Sequence, residues 1–374
     1  MVLGRRRRVW KSLMMMSASS PILFVGGCAQ FSANGGMSLV SDLSTAAIGE
    51  PAAKIQNEQD AAAAQARVGD LLSRTMTPDA AVQIALLNNR GLQAAYNDLG
   101  VSEAMMVEAS LPPSPTVTLS RLIQPSTIEI EAQILQNVLS LLTLPRRREI
   151  AEDRFLQAQK RAVDATLKIA ADARRAYYRA VASNEQVVLL QQAVTSAETV
   201  SDFAKKLGET GGMAKLDQAR EHAFTAEVGG QLAQARLTQR LERERLNQAL
   251  GLWGAQLKYK LPDKLPALPA KPKIDDDIET EAVLSRIDLE IARMEVAIVA
   301  KEFGLTHATR FIDVLEVRGI RRVEKNKVTD VDFTLAPGPT LIRTETQRTE
   351  KVRWRGFDVD FQIPIYDFGE VRTR

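Results

Sequence analysis

One thiol and two imidazoles are all that this 374-residue chain offers for nucleophilic or transition-metal chemistry. A single cysteine, Cys28, cannot form a disulfide within the chain. His222 and His307 lie far apart, with no cysteine or carboxylate pattern around them, so they make no zinc-ligand spacing. Both read as surface or packing residues. Asp275-Asp276-Asp277 could hold a cation, but three acids ahead of an apolar helical pattern read better as a helix start. There carboxylates meet the positive end of the helix dipole. No phosphate-cradling glycine loop and no nucleophile motif is present. The residues therefore point to no catalytic group, no metal and no cofactor.

What remains is Cys28, and its context gives it a role. Arg5-Arg6-Arg7-Arg8 and Lys11 precede an apolar stretch from Leu13 to Val25, which closes in Val25-Gly26-Gly27-Cys28. A basic region, a short apolar region and small residues before a cleavage point make a secretory signal peptide over residues 1–27. The apolar part is too short to remain as a membrane-spanning helix. The ending resembles a lipobox, in which the cysteine is lipidated and becomes the new N-terminus. An ordinary signal peptide with an incidental cysteine is the alternative. Two or three acyl chains on Cys28 would anchor the protein durably, where one gives only marginal binding. Ala29 stands where an aspartate tends to retain such lipoproteins at the inner membrane, so the outer membrane is the expected destination.

The chain is 45% hydrophobic and 25% charged, but only 5% aromatic. Long stretches rich in Ala, Gln, Arg, Glu and Leu favour long helices over a compact mixed core. The net charge of +3 gives no footprint for nucleic acid. Residues 28–76 are small and polar and read as a lipidated tether and loosely packed surface segment. Thr77-Pro78-Asp79 opens a helix with a cap, a proline at the first position and an acid in the first turn. Val82, Ala85, Leu86 and Leu92 recur at helical spacing up to about Ser110. Residues 116–123 and 128–134 read as strands. From about Pro145 to Leu207 neither Pro nor Gly follows, which predicts one helix of about 63 residues, roughly 94 Å long. A turn at 208–212 and a helix over 213–250 make an antiparallel hairpin with it. Residues 251–273 form a Pro-rich linker.

The pattern then starts again. A helix over 278–304, a strand over 311–320, a basic loop over 321–352 and a strand over 354–365 repeat the order of the first half. Asn89-Arg90-Gly91-Leu92-Gln93-Ala94-Ala95 can be laid on Arg286-Ile287-Asp288-Leu289-Glu290-Ile291-Ala292. Two strands alternate cleanly. Ile128, Ile130, Ala132 and Ile134 face one way, and Glu129, Glu131 and Gln133 the other; Phe357, Val359, Phe361 and Ile363 oppose Asp358, Asp360 and Gln362. Such a strand suits a soluble half-buried sheet, or a lipid-embedded barrel with apolar-out, polar-in alternation. The signal peptide and the tunnel-length helix favour the barrel. The helix before the strands and the helix after the long turn together nearly equal the long one, so one long helix can lie beside two shorter ones in a uniform wall.

With these elements in order, the chain resembles the TolC-type outer-membrane efflux proteins. The residues that carry the resemblance are the lipobox, Leu207-Gly208-Glu209-Thr210-Gly211-Gly212 followed by Leu216-Asp217, the Arg286-Ile287-Asp288-Leu289 segment and the ending Ile363-Pro364-Ile365-Tyr366-Asp367-Phe368-Gly369. Ile287 stands where the family usually has proline. The resemblance runs from about residue 77 to the end. It implies an α+β fold: a long antiparallel helical hairpin as tunnel wall, and four strands given to a trimeric outer-membrane β-barrel. The parts are a signal peptide (1–27), a lipidated tether (28–76), a first repeat (77–273) and an incomplete second repeat (274–374). A complete member needs about 100 residues more for a second hairpin, so the chain has the look of a truncated form with half of the wall.

The resemblance further implies a homotrimer that serves as a passive exit conduit of a tripartite efflux or type I secretion system, with no enzymatic step. Its partners would be a periplasmic adaptor, an inner-membrane pump and the outer membrane, with no nucleic acid. Residues Leu207, Gly208, Glu209, Thr210, Gly211 and Gly212 would be the adaptor-docking tip, or else a plain helix turn. Glu129, Glu131, Asp358 and Asp360 would face the barrel lumen and favour cations, or else be a solvated strand face. Two other readings stay open: a periplasmic adaptor lipoprotein with its hairpin inside a small β domain, and a non-conducting scaffold.

Overall fold

The computed structural model describes residues 31–268, 277–335, 337–338 and 341–373. The signal peptide, Cys28, Asp275, Asp276, Pro269 and Pro272 lie outside them.

The first surprise is upstream of the repeat. Residues 28–76, expected as a loose tether, contain α1 (Met37–Ile48) and α2 (Glu58–Ser73). Their apolar content is spread thinly among Ala and Ser, so the helical period is faint in sequence. It is real in packing: Val40, Val68, Leu72 and Met76 are buried. Asn57 caps α2 by accepting a hydrogen bond from the Asp60 N–H at 2.8 Å. Gly36, ahead of α1, sits at φ 78° with its carbonyl held by the Gln159 side chain at 2.8 Å. A Cβ there would stand 2.6 Å from the Phe155 ring. Glycine lets α1 close onto the long helix at that point.

The Thr77 cap and Pro78 start α3 (Pro78–Asn88) as expected, with Thr77 accepting from the Ala80 N–H at 3.1 Å. The expected single helix is nevertheless two. Asn89, at φ −75° and ψ 109°, ends α3 and caps α4 (Arg90–Ser110). The second copy does the same: Arg286, at φ −73° and ψ 112°, separates α7 (Ile278–Ser285) from α8 (Ile287–Thr309). These are the two positions that the internal alignment superimposes. The repeat is therefore present in the backbone, down to one extended residue. Neither break carries a Pro or Gly, so neither was visible in the sequence. At Arg286 no side chain caps the helix; Asp288 takes the place in the first turn, and the Arg286 guanidinium holds its carboxyl down to about 2.

α5 (Val138–Glu209) has 72 residues and is about 108 Å long. It begins before the expected start at Pro145, because Asn137 caps it, accepting from the Ser140 N–H at 2.8 Å. Pro145 is thus inside the helix and removes one ladder hydrogen bond, that to the Leu141 carbonyl. α6 (Lys215–Leu250) folds back along the second half of α5. Three buried clusters follow one another along α5. Leu92, Tyr96 and Leu99 of α4 meet Ala162, Val163 and Ala170. Ile84 and Ala85 of α3 and Leu246 and Leu250 of α6 meet Ala173, Tyr177 and Val181. Val228 and Leu232 of α6 meet Val194. One long helix does lie beside shorter ones set end to end. Alanines on α5 let the axes approach closely.

α8 packs on the first half of α5 by a different chemistry. Lys301 bridges Glu149 at 2.9 Å and Asp153 at 2.5 Å, Lys160 reaches Glu290 at 2.6 Å, and Arg154 meets Glu302. The seam to α4 is apolar and the seam to α8 is ionic.

Four strands form one antiparallel sheet in the order β1 (Thr116–Ile123), β2 (Thr127–Asn137), β3 (Val314–Leu335) and β4 (Leu341–Gln362). β1 matches the expected 116–123. The expected basic loop at 321–352 is instead the body of a long hairpin, paired from Val314 with Gln362 out to Leu335 with Leu341. Charged and Thr residues there occupy both faces, so no apolar alternation marked a strand. The short helix α9 (Glu370–Thr373) follows the sheet.

Candidate channel wall and docking tip

Residues directly opposite one another in an antiparallel pair point to the same side, so the register sorts every strand residue onto a face. Counting from the helical end, one face carries the row Leu315–Phe361, then Val317–Val359, then Val117–Ile134–Gly319–Phe357, with Leu119 and Ala132 beyond. The other face carries Glu316–Asp360, Arg318–Asp358, Glu131–Arg322 and Glu129–Glu324. Alternation inside each strand is thus in phase across all four.

Burial on this sheet runs opposite to that of a water-soluble one. On β2 the polar Glu131 is only 8% exposed, while Ile130 is 41% and Ile134 is 56% exposed. Phe357 and Leu119 are each 76% exposed. On β3 the even-numbered polar side is the more enclosed along most of 316–330. A soluble sheet hides its apolar face. This one leaves its apolar rows exposed and, on β2 and β3, covers its charged side the more. β1 and β4 are both unpaired on their outer sides, so the sheet has two free edges. An open edge cannot stand in hydrocarbon, because its N–H and C=O groups would have no partner.

The four acids expected to line a lumen, Glu129, Glu131, Asp358 and Asp360, all fall on the polar face, where Glu131 is buried, Glu129 half-buried, and Asp358 and Asp360 exposed. They are not alone. Arg322 stands between Glu129 at 2.7 Å and Glu131 at 2.5 Å, and Arg318 reaches Asp360 at 3.0 Å. Glu131 also accepts a short hydrogen bond from the Gln133 amide. The sequence reading missed both arginines. Arg322 fell in the segment read as a loop, and Arg318 was visible only through its register opposite Asp358. Glu316 and Glu324 add to the acids, so carboxylates outnumber guanidiniums on this face. It is a charge ladder with a net acidic balance, rather than a bare acidic lining.

The tip joins α5 to α6. The Gly212 N–H donates to the Leu207 carbonyl at 2.8 Å and the Gly211 N–H to the Gly208 carbonyl at 3.2 Å. These two bonds define a Schellman ending, with Gly211 at φ 77° as its left-handed residue. Thr210 adds a bond from its hydroxyl to the Leu207 carbonyl at 2.9 Å. At Gly208 a Cβ would meet the Gln218 side-chain amide of α6, which would have to turn aside to make room. Glu209, Thr210, Gly211 and Gly212 are exposed, as is Leu216 just beyond.

His222 accepts from or donates to Ser201 at 2.6 Å and ties α6 to α5, and His307 lies beside Phe303. Both side chains are exposed. Among the described residues no group of His, Cys, Asp or Glu is arranged to hold a metal ion. Among the same residues no helix is long and apolar enough to cross a membrane.

No protein-family model matches the chain, and no curated protein matches it in sequence. Solved structures do match in fold. The outer-membrane channel OprN superposes with a TM-score of 0.60 at 18% identity, over 82% of this chain and 67% of OprN. CusC, a protein studied for transmembrane channel formation, gives 0.55 at 14% identity, over 79% of this chain and 69% of CusC. The CmeC outer membrane channel of Campylobacter jejuni gives 0.50 at 14% identity, over 82% of this chain and 64% of CmeC.

Proposed function

Because the chain has the fold of the TolC-type outer-membrane channels, we propose that it is a subunit of an outer-membrane exit conduit serving an efflux or secretion pump. The observation that carries this reading is the sheet: one apolar, exposed face, one charged face more covered on β2 and β3, both edges unpaired among the described residues, and a direct run into a 72-residue helix. Copies of the chain would pair β4 of one with β1 of the next, which satisfies both edges and closes a barrel. Three copies are the expected number. Substrate would pass down the helical wall and out along the charged face, driven from the inner membrane. The conduit makes no bond and needs no catalytic side chain.

Two further assignments belong to the same proposal. Cys28 carries the lipid that ties the chain to the outer membrane. The 207–212 turn meets a periplasmic adaptor, for which its exposed, rigidly capped backbone is suited. An adaptor identity for this chain itself is disfavoured by the sheet, which is built from two helix-flanked hairpins rather than from one small β domain.

The test is functional. Cells lacking the gene should retain the pump's substrate, and the full chain should restore its export. Labelled palmitate should enter the protein and be absent from Cys28→Ser. Restoration of export by a chain whose β3–β4 hairpin is removed would refute the conduit.

A further inference from the structure

The outward face of the sheet is not apolar from end to end. Beyond the rows set by Phe361, Val359 and Phe357, the same face carries Arg121, Arg321, Lys325, Lys351, Arg353 and Arg355. Arg321 stands directly opposite Arg355, and Lys325 directly opposite Lys351. Val323 faces Arg353, and Arg121 ends the same row through Ile130. All six cations are exposed, and among the described residues no ion pair is formed by any of them. No acid shares the face in these rows.

This contrasts with the inner face of the same strands, where Arg322 faces Glu131 and Arg318 faces Asp358. Like charges directly opposite in a sheet are destabilising, with Cβ atoms only about 5 Å apart. The inner face also sets like charges opposite, Glu316 with Asp360 and Glu129 with Glu324, but Arg318 and Arg322 stand among them as counter-ions, while the outer face repeats its cation pairs twice within four residues with no acid beside them. Such an arrangement calls for anions from outside the chain.

Position says which anions. Lys325 is ten residues beyond Leu315 on β3. That is about 34 Å along the strand, or about 25 Å in depth at a barrel tilt of ~45°. An outer-membrane apolar band is ~25 Å tall, so the Lys325–Lys351 row falls at its far boundary. Arg353 sits one row inside that boundary, within reach of the same level, and Arg321 and Arg355 sit two rows inside, about 10 Å short of it in depth, so that their guanidiniums cover only part of the distance.

We propose that this basic cluster binds the phosphate groups of an anionic glycolipid headgroup at the outer-leaflet boundary, clamping the hairpin in the membrane. The proposal rests on the membrane-spanning reading of the sheet. Arginine forks suit phosphate oxygens in a bidentate manner, and paired lysines neutralise a second phosphate.

The test uses the full chain, purified in a neutral detergent, with bisphosphorylated lipid A as probe and phosphatidylcholine as the neutral comparison. Lipid A should bind saturably, more weakly as salt rises, and unaffected by millimolar inorganic phosphate. The variant Arg321→Gln/Arg355→Gln/Lys325→Gln/Lys351→Gln should bind it at least tenfold more weakly, since each interfacial cation is worth about fivefold. It should melt no lower than the native chain, because repulsion has been removed. Arg321→Lys/Arg355→Lys should keep most of the binding. Equal binding by the glutamine variant, or competition by free phosphate as strong as by lipid A, overturns the proposal. Insertion into phosphatidylcholine vesicles is measured alongside. If both proteins insert and lipid A is ignored, the headgroup site alone is wrong; if neither inserts, the membrane reading fails and the site with it.

Discussion

Ile134→Arg separates a lipid-facing sheet from a water-facing one by its cost. Ile134 is 56% exposed and shares a row with Val117 and Gly319, with Phe357 next across. On a water-facing surface, replacing an exposed isoleucine changes stability by about 0.5 kcal/mol or less in either direction. In a barrel the sum is different. Gly319 of the same row lies four residues from Leu315, about 14 Å along the strand and roughly 10 Å in depth. That is near the middle of a ~25 Å band, where arginine costs about 2–4 kcal/mol per chain. The equilibrium constant for insertion should therefore fall roughly 30- to 700-fold. The assay is folding from urea into phosphatidylcholine vesicles, read by protection from added protease. Thr118→Arg, on the polar face beside Gln133, is the matched control and should shift the urea midpoint little. Equal midpoints for the two variants would refute the outward assignment of the apolar face.

Other predictions follow from single contacts. Gly211→Ala places a Cβ at φ 77° and should cost about 1–2 kcal/mol, while Gly211→Pro also removes the bond to the Gly208 carbonyl. Gly211→Pro should abolish export while leaving the protein in the membrane fraction, as read by substrate retention and fractionation; full export by it would refute the docking assignment. Tyr96→Phe removes a buried 2.8 Å hydrogen bond to Thr166, and thermal melting should register a loss of about 1 kcal/mol. Burial holds the Tyr96 phenol up to about 12, so melting should show no pH dependence from it below pH 10 and a loss of stability as pH rises from 10 towards 12. The α8 seam titrates at both ends. Lys301, then Arg146, lower the Glu149 carboxyl, so its contribution is complete above its ordinary value of 4.5 and fades as pH falls through the lowered one. Asp153, then Glu149, raise the Lys301 ammonium, so its contribution is complete below 10.5 and fades above the raised value. A spin-label distance between α5 and α8 should stay constant from pH 5 to 10 and broaden as pH falls below the ordinary carboxylate value of 4.5; Lys301→Met should broaden it throughout.

Elements with a strong local signal were legible in the sequence. Thr77 and Pro78 gave the start of α3, strict alternation gave β2, and Gly211-Gly212 gave the turn between α5 and α6. Features set by tertiary context were not. The breaks at Asn89 and Arg286 use a residue in an extended conformation with neither Pro nor Gly to announce it; at Asn89 the side chain caps α4 while α3 and α4 both pack on α5, and at Arg286 α8 packs on α5. The helices at 37–48 and 58–73 carry their apolar stripe on Ala, Val and Leu among many small residues, too faint a period to read. The β3–β4 hairpin was taken for a loop because its outer rows are charged on both sides. The same oversight hid Arg322, and with it the pairing of Glu129 and Glu131. Only the register reveals which charges meet and which are left to face outward.

The most direct test is a cysteine scan of β2 from 128 to 134 in native outer membranes, read with a lipid-phase quencher and a water-soluble thiol reagent. Positions 128, 130, 132 and 134 should be quenched from the lipid and protected from the reagent, and positions 129, 131 and 133 should react from the aqueous side. A two-residue period in that phase establishes the apolar-out, charge-in wall. The opposite phase, or uniform reaction from water, would contradict it and leave a soluble helical scaffold with an exposed sheet.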